Sequence, residues 1–268
     1  MRIAKSILTI CFFFILSSIV TSSERQFQLI RQFNAPEARQ GIAVDSACVY
    51  VIGTQEIGKY NKQTGERICN WQGDPAGPII HLDSGVIVNR KLYCAHSNYP
   101  GIPMTSSVEI WDAETLEHIG SHSFGIQLGS CTWIDRFNNT WWGCFAHYEK
   151  FREQIGKGNE YTTIVKFDDD WQIIQMWTFP DTVLQRFRPM SNSGGSWGPD
   201  SLLYCSGHDL PELYAMRLPS AGSMLELVEI VPIDNLGQGI AWDRSAARFI
   251  YTIKKREQTV QTHHFQQF

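Results

Sequence analysis

Residues Gly41–Gly53 read GIAVDSACVYVIG: an apolar strand, an aspartate, a short turn and a second apolar strand. The same shape recurs in GVIVNRKLYCAH from Gly85, CTWIDRFNNTWWGCFAH from Cys131, SWGPDSLLYCSGH from Ser196 and GIAWDRSAARFIYTI from Gly239. Asp45, Asn89, Asp135, Asp200 and Asp243 hold the turn positions, where their short polar side chains suit a tight reversal. A second hairpin follows in each unit, as in EIGKYNKQTGERICNW from Glu56 and VEIWDAETLEHIGSHSF from Val108. Each unit therefore reads as a four-stranded antiparallel meander. The fifth unit ends after its third strand, TVQTHHF at 259–265, and FQLIRQF at 27–33 is the candidate for the missing fourth. Closing a ring removes open sheet edges. The expectation is an all-β, five-bladed β-propeller of roughly 49 residues per blade. Its N-terminal strand closes the last blade, in a single domain over 23–268.

Composition narrows the class. The chain has 268 residues, a formal net charge of -4 and 19% charged residues. That excludes a disordered or coiled-coil chain, and no basic run offers a nucleic-acid face. Residues 1–22 carry Arg2 and Lys5, an apolar run from Ile7 to Val20, and small residues at Val20 and Ser22. This is the form of a signal peptide. Its apolar core of about 14 residues is shorter than the roughly 20 needed to span a bilayer. The expectation is a secreted, extracellular monomer with no stable membrane insertion.

Removing that segment leaves Cys48, Cys69, Cys94, Cys131, Cys144 and Cys205. A turn at Phe137-Asn138-Asn139 would set Cys131 opposite Cys144 as a disulfide, while free buried cysteines are the alternative. Asn138-Asn139-Thr140 is a glycosylation sequon.

Three successive second strands end in histidine: His96, His147 and His208. At a shared rim they could serve as acid/base groups or hold a divalent metal, with no cofactor otherwise required. They could equally satisfy neighbouring loop carbonyls. Arg39, Gln40, His81, Asp83, Asn98, Tyr99, Tyr148, Trp197, Asp209, Gln238 and Lys254 fall on connections at the same expected end, as a polar, aromatic-rimmed binding mouth. No GxSxG elbow, HExxH, P-loop or dinucleotide fingerprint occurs.

Gln40 followed by GIAVDSACVYVIG, then IGKYNKQTGE, resembles the opening blade of the glutaminyl cyclotransferase-like propellers. The resemblance implies the five-bladed fold and, for active members, cyclisation of N-terminal glutamine by a channel-mouth acid among Trp, Asn and Lys. Gln40 stands where the active plant type carries an acidic residue. Two functional readings stand. One is a hydrolase or acyl/amide transferase on a small polar substrate, with His96, His147 and His208 as catalytic groups. The other is a non-catalytic propeller that binds a glycan, peptide or protein.

Overall fold

The computed structural model describes residues 25–268 except Ile155 and Ala247. The expected signal peptide, residues 1–22, lies outside them.

The described residues form twenty strands, with buried positions alternating or running continuously along them. After β1 (Arg25–Asn34), the first meander comprises β2 (Gly41–Val44), β3 (Cys48–Ile52), β4 (Glu56–Asn61) and β5 (Arg67–Gln72). The second comprises β6 (Leu82–Val88), β7 (Lys91–Ser97), β8 (Ser106–Asp112) and β9 (His118–Gly125). The third comprises β10 (Ser130–Phe137), β11 (Thr140–Ala146), β12 (Thr163–Phe167) and β13 (Ile173–Thr178). The helix α1 (Asp181–Phe187) precedes β14 (Gly194–Trp197), β15 (Leu203–Ser206), β16 (Glu212–Arg217) and β17 (Glu226–Pro232). The chain ends in β18 (Ile240–Trp242), β19 (Phe249–Lys254) and β20 (Thr259–Gln267), and β1 (Arg25–Asn34) completes that last sheet.

The hydrogen-bonded sheets number four among the described residues, in place of the expected five separate blades. Three have four strands. The fourth has eight, in the order β13-β12-β11-β10-β6-β7-β8-β9, because Trp133 on β10 pairs in parallel with Ser84 on β6. The chain is also not all-β, since α1 sends Val183, Leu184 and Phe187 into the core. The five-bladed propeller expectation is corrected on both counts. The cyclotransferase-like resemblance, which implied the same separate blades, is not carried forward.

Small residues on the innermost strands explain the close approach. A Cβ at Gly41 would sit 2.5 Å from Ser84 Cα, and one at Gly239 would sit 2.6 Å from Gly41 Cα. Side chains there would force the strands apart. The first strands touch in a closed circuit: β2 with β6, β6 with β10, β10 with β14, β14 with β18, and β18 with β2. Ser84 ties two of them by exchanging hydrogen bonds with the Ile42 backbone, and Ser196 Oγ accepts from Trp242 N at 3.2 Å.

Tryptophans fill the spaces between sheets. Trp133, Trp142, Trp177 and Trp197 share one cluster with α1, while Trp111 packs with Tyr50, Ile57 and a half-buried Trp71. Burial of such rings is the largest single contribution to this kind of core.

Two local expectations shift by register. The β10–β11 turn is Asn138–Asn139, both at positive φ (49° and 58°), and its flanking pair is Phe137–Thr140. Cys144 then pairs with Trp133, while a bulge sets Cys131 opposite Phe145. The expected Cys131–Cys144 disulfide is therefore absent, and all six described cysteines are free. Asp135 is not a turn residue either. It lies buried in β10, accepting from Ser196 Oγ, Trp197 N and the Arg244 guanidinium.

β1 runs antiparallel to β20 from Asn34–Thr259 to Arg25–Gln267. Phe27 packs on Tyr204, Trp242 and Phe265, with centroids 5.5–6.0 Å apart. Phe27→Ala is expected to cost about 3 kcal/mol, read as a lower denaturant midpoint. An unchanged midpoint would mean that β1 is not part of the core.

Candidate functional site

The three strand-end histidines are held apart by separate partners. His96 Nε2 accepts from Ile80 N at 3.1 Å, so its Nδ1–H donates to Ser107 Oγ at 2.8 Å. His147 Nε2 donates to the Leu128 carbonyl at 3.0 Å. Burial lowers the pKa of both imidazoles, so both favour the neutral form. His208 Nδ1 lies 2.7 Å from Asp209 Oδ1. No group of three or more His, Cys, Asp or Glu side chains among the described residues is placed to hold a metal ion. The histidine-centred active site, and the hydrolase or transferase reading built on it, is thus corrected: similar local text placed each histidine against its own loop or strand, not around one atom.

Other expected residues do come together. The His81 and Tyr99 rings lie 5.2 Å apart, and Tyr99 and Tyr148 4.8 Å. Lys150 Nζ donates to Tyr99 Oη at 2.8 Å and sits 4.0 Å from its ring centroid. Next to this aromatic wall is Asp83, only 6% exposed. His81 Nε2 lies 3.5 Å from Asp83 Oδ2, and among the described residues no donor hydrogen-bonds this carboxyl group. A carboxyl buried without a donor resists ionisation. Burial accordingly pushes the Asp83 pKa well above the ordinary range, with the Lys255 charge opposing that shift. Burial also lowers the His81 pKa to about 4, helped by the nearby charges of His96, Lys255 and Lys150. Burial thus disfavours the charged form of both groups.

Lys255, whose charge acts on both groups, lines a separate cleft of about 230 Å³ with His208, Asp209, Gln238, Lys254 and Arg256, among others. Lys254 is tied to Asp234 at 3.0 Å, whereas Lys255 and Arg256 make no ion pair among the described residues. Gln238 is held at φ 76° with its carbonyl accepting from Ser206 Oγ.

The remaining expected residues serve structure. Arg39 Nε reaches only the Pro36 carbonyl, and Gln40 Nε2 reaches Thr54 Oγ1, each at 3.4 Å. Asn98 braces its own loop by accepting from Thr105 N and donating to the Pro103 carbonyl. Trp197 is not at this mouth: it is buried, stacked on Phe137 at 4.7 Å, beside the Asp243–Arg244 turn. Sequence reasoning placed Asp83 on a connection but gave no sign that its carboxyl group lacked a partner.

No family model matches the chain, and no curated protein matches it. Among solved structures, a PQQ-bound aldose sugar dehydrogenase from Streptomyces coelicolor is similar, with a TM-score of 0.58 and 9% identity over 90% of this chain and 98% of that one. A chain of a mitotic checkpoint complex is similar at TM-score 0.50 and 12% identity, over 97% and 98%. At such identities the likeness shows the fold alone.

The His81 shift has a direct consequence for stability. Its folded pKa lies below the unfolded value, so the unfolded state binds more protons between about pH 6.5 and 4. Stability then falls as pH drops through that window. His81→Gln should remove up to about 3 kcal/mol of this acid loss, measured by denaturant titration at both pH values. An identical loss in both proteins would show that His81 titrates normally.

Proposed function

We propose that the protein binds a small polar molecule through a carboxylate group, in the mouth formed by His81, Asp83, Tyr99, Tyr148 and Lys255. One observation carries this reading: Asp83 is a buried carboxyl group with no donor and a raised pKa, within reach of the Lys255 charge. Kept protonated, Asp83 is itself a hydrogen-bond donor. Lys255 supplies the countercharge, and the Tyr99 and Tyr148 rings, tilted 52° to each other, supply an aromatic wall. A donor-rich mouth of this kind suits an acceptor-rich ligand, and a sugar acid or a peptide C-terminus has that chemistry. The reading calls on no cofactor, nucleic acid or second subunit.

No helix among the described residues is long and apolar enough to cross a membrane. The proposed setting is extracellular, after removal of residues 1–22. The exposed Asn138 tip of the β10–β11 turn is the proposed glycan attachment point.

Calorimetry with N-acetyl-glycylglycine against its C-terminal amide, and with glucuronate against glucose, tests the reading. At least one carboxylate of the two pairs should bind, and its neutral partner should bind at least tenfold more weakly. Because binding needs the protonated Asp83, affinity should fall as pH rises through the raised pKa of that group. Asp83→Asn, a permanent neutral donor, should keep binding and lose this pH dependence, while Lys255→Gln should weaken it about tenfold. Equal binding of acids and neutral partners, no binding of either acid, or an unchanged Lys255→Gln variant would refute the proposal.

A further inference from the structure

A second cleft, of about 430 Å³, opens on the outer strands of the first two meanders. Trp71, Pro78 and Ile79 supply its apolar walls, and Asp74, Glu109 and His118 its polar groups. No residue of the mouth near Asp83 takes part in it.

Its centre is an organised polar network. Glu109 is 6% exposed, and three neighbouring side chains meet its carboxylate. Oε1 accepts from Ser107 Oγ at 2.6 Å and Ser121 Oγ at 2.8 Å, and Oε2 lies 2.8 Å from His118 Nε2. A carboxylate accepts, so Nε2 carries a proton, and in the neutral imidazole the other ring nitrogen is an acceptor. The His118 ring is steadied edge-on against Trp111, centroids 5.0 Å apart, and Trp71 meets Trp111 at 5.1 Å. The imidazole is thus held in one orientation, as a carboxylate partner does for a working histidine. Glu109 is thus the positioning residue of the cleft.

The remaining acceptors are the His118 ring nitrogen and the Asp74 carboxylate, of which Oδ1 already takes Ala76 N at 2.9 Å. The lining contains two acidic residues, one imidazole and no lysine or arginine. An indole wall with acceptors and net negative charge matches a positive donor with an apolar body.

We propose that this cleft binds a small organic ammonium ion, with its body against Trp71, Pro78 and Ile79 and its N–H groups directed to His118 and Asp74. Opposite charge separates this site from the carboxylate-binding mouth.

Benzylammonium is the probe, titrated into the protein by NMR or calorimetry beside neutral benzyl alcohol. Benzylammonium should bind at least tenfold more tightly than the alcohol. Asp74→Asn, a change at an exposed residue that leaves the core intact, should weaken it several-fold, and His118→Ala should weaken it at least tenfold. Glu109→Gln should weaken it too, since the imidazole then loses its fixed orientation. Asp83→Asn and Lys255→Gln should leave it unchanged, so failure at one site is distinguishable from failure at the other. No saturable binding, equal affinity for the alcohol, or unchanged binding in Asp74→Asn would overturn the proposal.

Discussion

Ten residues from near the start of the described chain lie along its last strand, and this pairing of β1 with β20 holds the architecture shut. The other sheets are each built from consecutive strands or from neighbouring meanders. The last sheet alone needs a segment more than two hundred residues away. Its loss would expose the backbone groups of β20 and the aromatic group of Tyr204, Trp242 and Phe265 on which Phe27 rests. β18 in that sheet touches both β14 and β2, so the circuit of inner strands depends on it. Lys255 follows β19 of the same sheet, whereas Asp83 lies on β6. Their electrostatic contact is a consequence of the closed circuit.

The circuit is tight because its inner strands are made of small residues. Gly41, Ser84 and Gly239 let backbones approach to distances that a larger side chain would forbid. Between β6 and β10 the approach is close enough for a backbone pair at Ser84 and Trp133, which merges two meanders into one sheet. The polar groups set at one end of these strands meet within a narrow space. Asp83 then loses solvent without gaining a donor, and this is what raises its pKa.

The strand repeats were legible in the sequence because alternation and turn chemistry are local. Asp45 shows the mechanism, with Oδ1 accepting from Ala47 N and Cys48 N across its turn. Asp135 shares the local text but not the role, because Asn138–Asn139 makes the turn instead and leaves the aspartate in mid-strand. That shift, with the bulge between Cys131 and Trp133, also separates the two cysteines that the pattern set opposite each other. The helix α1 had a signal: Val183, Leu184 and Phe187 fall at helical spacing after Pro180. In a long interval rich in turn residues, seven helical residues are too few to stand out. The merger of two meanders had no signal, since it depends on how closely distant strands pack.

The histidines illustrate a further limit. Repetition of AH and GH at strand ends predicted a common location, but what an imidazole can do depends on its partners. His96 is satisfied by Ile80 and Ser107, His147 by Leu128, and His208 faces Asp209. His118, which no repeat singled out, is the one oriented by a buried carboxylate. Burial and partnership arise only from the assembled structure. The closure that creates them is tested most directly by amide hydrogen exchange in the full chain. The β1 amides bonded to β20 should exchange as slowly as those pairing β19 with β20, with free energies of opening near the global value. Exchange of all β1 amides within seconds, while β19 and β20 stay protected, would contradict the closed circuit.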